Sequence, residues 1–475
     1  MAEIKTQSRA MQMLRNLGIY AVGSIGSRLI MFMIVPIYSF FIDPADFGYY
    51  DICFAVIMLL LPVISMQYKD GAFRFLLDAK NDSERTQIVS YTIFSMIRNT
   101  IVCFAVGIIL HLLVDIKYMW YTLVFACVFS VFGVVLQMLR GIGRNKVYVE
   151  CCLISSFLIF AISVPLVVWT GMGVKGVFIG NIVARVAAMF YAEWRVGIFS
   201  NYLRRSADAK LIGKEILKFS RPLIAVNLIL SCIAWGNRFF IEHFLGLYDN
   251  GLFSVAVKFA TILEALATMF NQTWQETAIR QYGDADRDAF FSKIANTYIW
   301  VFVLLVIGIS YGARIFYSYI VGAEYQESRW LVYPLVMSVM FLVMTVFCDV
   351  AYQCAKDTSR QLPCLIIALV VSVATNYYFT IWWGLYGILA SVNVTYLFML
   401  VYKIIDTRRY MRLCINVRSV AVLGLLVLSG VMYYVIDNVI IVAIYFAAVL
   451  MAMLACCPAS VKQMLAKKLR WSEAK

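Results

Sequence analysis

The residues best placed to do chemistry are ionisable groups set deep inside apolar runs. Arg28, Arg98 and Arg185 each sit about ten residues from the nearest end of such a run. A cation at the centre of a membrane-spanning helix costs about 2.5–3.5 kcal/mol on insertion scales, so each needs a compensating environment. The amino-terminal part of the chain has no equally deep acid, since Glu193 lies near the end of its run. A water-filled cavity holding an anionic ligand would supply that environment, and hydrogen bonds to carbonyls of neighbouring helices would be the alternative. Lys258 lies inside a later run and Arg74 in a basic stretch. An Arg presents a bidentate fork and a Lys a point charge, and cations of both kinds converging on one place suit a phosphate or pyrophosphate. For Lys258 the alternative is snorkelling to the membrane surface.

The remaining ionisable groups read in two ways. Glu264 is the best placed to titrate or to couple a cation, or it is a neutral acid in a hydrogen bond. Arg238 and Glu242 are four apart, the spacing of a pair on one helix face, and are otherwise coupling or gating candidates. Asp51 opens a run and suits either a gate contact or a helix terminus. Asp349 and Glu193 are expected at the interface, and Arg195, Arg221, Arg314 and Arg329 are expected to snorkel. Trp120, Trp169 and the other indoles fit an interfacial belt, and Trp235 and Trp274 either belong to it or line a cavity where their faces stack on the rings of a ligand. Asn181, Asn227, Gln272 and Asn376 offer amides to hydroxyl groups. His111 and His243 are the only histidines, and neither CxxC nor HExxH spacing occurs, so no metal or cofactor is expected. No P-loop occurs either. All twelve cysteines fall in apolar runs or on the basic side, and no disulfide is expected.

Apolar helices must position these groups. The chain is 63% hydrophobic with a mean hydropathy of +0.82, beyond any soluble domain. Fourteen spans are read at 17–41, 46–66, 88–110, 119–138, 149–170, 176–197, 219–244, 251–273, 294–318, 328–352, 362–382, 384–404, 419–436 and 439–457. Most of the 41 Lys and Arg fall in loops on the side shared by both termini, against only Lys117 and Lys175 in loops opposite. That asymmetry places both termini in the cytoplasm and reduces the net charge of +14 to topology and anionic-lipid contact rather than nucleic-acid binding. The loops are too short to hold a catalytic domain. At the second span Asp43 can cap, Pro44 fits the first helical position and Asp46 faces the positive end of the helix dipole.

The chain also repeats itself. Asp43-Pro44-Ala45-Asp46-Phe47-Gly48 aligns without gaps on Gly246-Leu247-Tyr248-Asp249-Asn250-Gly251, an offset of 203 residues. Gly173 and Gly176 match Gly384 and Gly387 at an offset of 211. Two related six-helix lobes follow, over 1–198 and 219–404, joined by a linker at 199–218 and extended by two further helices and a basic tail in 405–475. The expected fold class is an all-α polytopic membrane protein of about fourteen helices.

Pro36-Ile37-Tyr38, the Asp43–Tyr50 string, Gly71-Ala72-Phe73-Arg74-Phe75, and Asn376 with Trp383-Gly384-Leu385-Tyr386-Gly387 together resemble the polysaccharide-export flippases of bacteria. These are the Wzx-type O-antigen and capsule transporters of the multidrug/oligosaccharidyl-lipid/polysaccharide (MOP) superfamily, which also holds the MATE exporters. The resemblance implies two six-helix lobes in the cytoplasmic membrane that carry undecaprenyl-pyrophosphate-linked oligosaccharide to the outer leaflet for cell-surface polysaccharide synthesis. It implies a cationic cavity with Arg28 and Lys258 in it and Arg74 after the second span. A polysaccharide polymerase is an expected partner; a proton or sodium ion is an expected coupling ion, for which no motif gives a site. The rival readings are an organic-cation exporter of the same superfamily, disfavoured by the deep cations, and a membrane enzyme of polysaccharide assembly, disfavoured by the short loops.

Overall fold

The computed structural model describes residues 26–27, 30, 32–113, 117–203, 209–284, 286–355 and 357–457, and all their regular structure is helical. With no water in a bilayer core to bond exposed backbone groups, helices satisfy those groups internally. The chain divides into two compact units, Met1–Phe239 and Phe240–Lys475.

In the first unit α1 (Phe32–Phe41) leads directly into α2 (Pro44–Ile64). The junction forms as its residues demand: Asp43 Oδ1 accepts from the Ala45 N–H at 2.8 Å, and Pro44 takes the first helical position. Asp46 also pairs with Lys117 at 2.6 Å, which gives that lysine a partner. Next comes α3 (Tyr68–Asp78), in a stretch expected to be a basic loop. Tyr68, Gly71, Ala72 and Leu76 recur at helical spacing and are buried as α3 packs on α4 (Asp82–Leu113), α5 (Met119–Gly141) and α9 (Ala209–Trp235). Between them lie α6 (Asn145–Val168), α7 (Val174–Val196) and the single turn α8 (Ile198–Tyr202). The helix α9, read from sequence as the first of the second lobe, packs on α2, α3 and α4. After a break at Gly236, α10 (Asn237–Phe244) carries the chain out of the unit.

The second unit contains α11 (Leu247–Gln281), α12 (Arg287–Ile320), α13 (Arg329–Cys354), α14 (Gln361–Thr407), α15 (Val417–Val435) and α16 (Val439–Ala455). The core helix α13 packs on α11, α12 and α14, and α15 and α16 pack against α12. Tyrosine hydroxyls fasten α15 in place: Tyr311 donates to the Ser429 carbonyl at 2.7 Å, Tyr333 to Leu426 at 2.5 Å, and Tyr433 to Arg329 at 2.6 Å. Each buried hydroxyl so satisfied contributes about 1 kcal/mol. Arg314, expected to snorkel, is instead buried. Its guanidinium lies 4.5 Å from the Trp330 ring and 4.9 Å from Tyr433, and it donates to the Ile436 carbonyl. Bonding and stacking there outcompete hydration.

Eleven helices of the described residues are long and apolar enough to cross a bilayer, and α1 and α16 are shorter apolar helices. One of the eleven, α14, holds two expected spans, because its backbone turns at Gly384. Every expected span from the second onward therefore falls on an apolar helix, the described end of the first lies on α1, and the chain is a multi-pass helical membrane protein. The positions matched in sequence share local backbone features. Asp43 and Gly246 are both N-caps, of α2 and α11. Gly173 has φ 52°, ψ −130° and Gly384 has φ 57°, ψ −132°, a left-handed conformation open in practice only to glycine. Three residues on, a Cβ at Gly387 would lie 1.9 Å from the Phe379 carbonyl oxygen, and one at Gly176 would lie 3.0 Å from Leu166 Cβ.

Candidate functional site

In the first unit the sequence candidates Asp51, Arg238 and Trp235 come together. Arg238 Nε donates to Asp51 Oδ2 at 2.9 Å, and both side chains are almost fully buried, at 4% and 3% exposure. Its NH1 donates to Asn237 Oδ1 at 2.8 Å and to the Ala234 carbonyl at 3.1 Å. The guanidinium carbon lies 4.5 Å from the Trp235 ring, which meets Phe54 at 5.3 Å. The partner of Arg238 is thus an acid 187 residues away on α2, while Glu242 is exposed and outside the pair.

Phe54 continues this wall to the second buried arginine. It touches Phe125 at 6.0 Å and Phe129 at 6.1 Å, and the Arg185 guanidinium lies 5.2 Å and 4.9 Å from those two rings. Arg185 NH1 donates to the carbonyl and the Oδ1 of Asn181, at 2.9 and 2.8 Å. The environment open to a deep cation is therefore met here by the helix's own turn and by aromatic faces, which stabilise a desolvated guanidinium by about 2 kcal/mol or more. Two buried arginines, one charge-paired and one not, flank an aromatic wall built from α2, α5 and α9.

The other cation candidates are scattered. Arg98 is exposed on α4 and donates to Asn99 at 3.3 Å. Arg74 is exposed on α3, paired with Asp78 at 2.7 Å. Lys258, on α11, is partly buried in the second unit. Arg28 and the Gln272 side chain lie outside what the structure describes.

The second unit holds a cleft of about 280 Å³ between α11 and α13. Glu264, Thr268, Asn271 and Gln275 form one stripe of α11 along it, opposite Gln353, with Leu342, Val343, Val346 and Val350 as its apolar side. Glu264 is exposed there. Gln275 donates to Gln353 at 2.5 Å, spanning the two walls. Of these five polar residues the sequence singled out only Glu264. The i, i+4, i+7, i+11 spacing of the stripe was the clue to the rest. Trp274, on the same helix, lies in the core: its Nε1 donates to the Phe347 carbonyl at 3.2 Å and its ring stacks on Phe347 at 4.5 Å. Asn376 is buried and donates to Ser372 at 3.2 Å, and Asn227 donates to the Leu223 carbonyl at 2.9 Å within α9.

A charged lattice closes the ends of α13 and α14. Asp349, expected at the interface, meets Lys403 at 2.5 Å, and Lys403 is 2% exposed. Tyr352 donates to Asp406 at 2.8 Å. In the connection, Asp357 accepts from Tyr410 at 2.7 Å and from Arg360 at 2.9 Å. The Tyr410 hydroxyl, more than any other neighbour, holds the Asp357 carboxyl below its ordinary range, and the same bond raises the phenol of Tyr410. No group of three or more His, Cys, Asp or Glu able to hold a metal occurs among the described residues.

The fold is similar to those of solved membrane transporters and flippases. The fold matches that of the lipid II flippase MurJ in an inward closed conformation with a TM-score of 0.72 at 12% identity, covering 94% of this chain and 99% of that one. It matches an inward-facing MATE-family multidrug transporter of the MOP superfamily with a TM-score of 0.63 at 14% identity, covering 85% and 99%. A MOP superfamily transporter from Pyrococcus furiosus, described as having a binding pocket of reverse polarity, gives 0.56 at 15% identity over 83% and 96%. The family model for polysaccharide biosynthesis proteins matches residues 13–274, more than half of the sequence. The chain belongs to the polysaccharide biosynthesis protein family. A search of curated proteins finds no match.

Proposed function

We propose that the chain is a flippase that moves undecaprenyl-pyrophosphate-linked oligosaccharide from the cytoplasmic to the outer leaflet by alternating access. The observation that carries this reading is the cleft on α11, whose Thr268, Asn271, Gln275 and Gln353 offer hydroxyl and amide groups in a chain of this family. Amides and hydroxyls both donate and accept, the pairing that neutral sugar hydroxyls require. The pyrophosphate needs cations, and Arg28 and Lys258 are assigned to it, with Arg98 as a third. Arg185 and Arg238 are bonded within the first unit and act as structural supports of the aromatic wall. The basic loops support a bacterial cytoplasmic membrane with both termini inside. A proton or sodium gradient, or the membrane potential, drives the cycle, and a polysaccharide polymerase receives the product.

One observation favours a second reading. The described lining of the cleft carries a carboxylate, Glu264, and no cation, which is the polarity an organic cation seeks.

The test uses proteoliposomes with lipid-linked oligosaccharide supplied on one leaflet, and lectin protection as the measure of transfer. Wild type is compared with Arg28→Ala, Lys258→Ala, Asn271→Ala and Glu264→Gln. Transfer lost in the first three and retained in Glu264→Gln supports the flippase with its amide-lined sugar cleft. No transfer by wild type, together with Glu264-dependent export of an organic cation, replaces it with the exporter.

A further inference from the structure

The second unit contains another cavity, about 300 Å³, between α12 and the α15–α16 pair. Its charge is opposite to that of the cleft on α11. Lys293 on α12 and Arg418 in the first turn of α15 line it, both exposed, and none of its described lining residues is acidic. Neither side chain forms an ion pair among the described residues. The nearest acid along α12, Asp288, is already engaged by Arg287 at 3.6 Å and by the Arg412 amide at 3.4 Å.

The walls of the cavity are fixed by hydrogen bonds that engage Ser292, Asn296 and Ser419 and leave the two cations to donate into it. Ser292 Oγ accepts from the Cys414 amide at 2.9 Å, and Asn296 Nδ2 donates to the Cys414 carbonyl at 2.8 Å. Asn296 Oδ1 accepts from the Asn416 amide at 2.9 Å and from Ser419 Oγ at 2.6 Å. Four bonds thus lace the start of α15 and the connection before it onto α12. The base is apolar: Trp300 donates to the Met453 carbonyl at 2.8 Å, beside Val422 and Cys456. On the same two helices Val417, Val420, Met451 and Leu454 are 85%, 58%, 66% and 60% exposed.

We propose that this cavity binds a phosphate group, and that the phosphate is the headgroup of an anionic membrane phospholipid. Arg418 supplies a forked donor and Lys293 a point charge to the phosphate oxygens. The exposed apolar residues of α15 and α16 receive the acyl chains, which a phosphate free in solution would leave uncovered. Basic pockets between membrane helices on the side rich in basic loops have the charge and depth that such headgroups require. This site is separate from the cleft on α11, and its occupancy does not depend on what that cleft transports.

Cys414 lines the cavity and is exposed, so its alkylation reports occupancy. The protein is reconstituted in vesicles of phosphatidylcholine alone or phosphatidylcholine doped with phosphatidylglycerol. Its reaction with N-ethylmaleimide is followed at the Cys414 peptide by mass spectrometry. With the anionic lipid at about nine times its dissociation constant, one site in ten stays open and labelling slows about tenfold. In the Lys293→Ala/Arg418→Ala variant the two vesicle types should label alike. Both side chains are exposed and their loss spares the core; if that variant melts early, Lys293→Gln gives the same comparison. Equal labelling of wild type in both vesicles overturns the site, and equal slowing in the variant assigns the effect to surface potential. Protection by inorganic phosphate in phosphatidylcholine alone, without protection by phosphatidylglycerol, overturns the lipid as its source.

Discussion

Replacing Asp51 with Asn strands the buried guanidinium of Arg238 while changing side-chain volume little. An arginine does not shed its proton to escape burial, so the cost appears as lost stability. Removing one partner of a buried pair costs about 3–5 kcal/mol. The lower end applies here, because Arg238 keeps Asn237, the Ala234 carbonyl and the Trp235 face. Taking about 2.1 cal/mol/K of unfolding entropy per residue over a unit of this size, 3 kcal/mol lowers the melting temperature by about 6 °C. The second variant, Asp51→Asn/Arg238→Gln, removes both charges. Because a neutral pair of similar volume is often as stable as the ion pair, it should melt within about 2 °C of wild type. The assay is a thermal melt of the purified protein in one detergent, run as a double-mutant cycle with Arg238→Gln as the fourth corner. A double variant destabilised by the sum of the two singles would refute the coupling and reduce the contact to coincidence.

Three further outcomes follow from other parts of the chain. Asp357 has its carboxyl held below the ordinary value of 3.8, chiefly by Tyr410, so its contribution is present above that value and is lost as pH falls through the lower folded one. Asp357→Asn should therefore flatten the acid limb of the melting temperature against pH and leave the alkaline limb unchanged, and Tyr410→Phe should do so in part. Gly173→Ala and Gly384→Ala should each cost about 1–3 kcal/mol in thermal melts, through backbone strain alone, and Gly387→Ala should cost more because its Cβ meets backbone. Trp274→Phe should keep the stacking on Phe347 and lose one hydrogen bond, a loss of about 1 kcal/mol by the same measurement.

The helices and the glycine corners were legible in the sequence because both depend on local information. Apolar runs about as long as a bilayer is thick define the spans, and Asp43-Pro44 carries its own capping geometry. Side-chain partnership was less legible for a physical reason. Sequence spacing shows which residues share a helix face, so Arg238 pointed to Glu242 one turn away, whereas tertiary packing brought Asp51 from another helix. The same limit applies to Asp349, whose partner Lys403 lies on α14, and to Arg314, whose partners lie on α13 and α15 and in the turn before α16. The amphipathic α3 was legible but obscured by its charge: Lys69, Asp70, Arg74 and Asp78 suggest a loop, while Tyr68, Ala72 and Leu76 mark a buried face. The amide stripe of α11 went unread because its residues are individually ordinary, and it becomes a site only when Gln353 faces it.

The twin conformations at Gly173 and Gly384 bear on how such proteins stay alike while their sequences drift. The two helical corners turn through the same pair of backbone angles although the residues around them differ. What the two corners share is a permission, the absence of a side chain where the chain must bend, and a substitution table credits an absence with a single matched letter. A fold that stores its geometry in a few such permissions can replace almost every surrounding residue without losing its shape. Likeness of fold at 12–15% identity over most of the chain is then what one should expect of it.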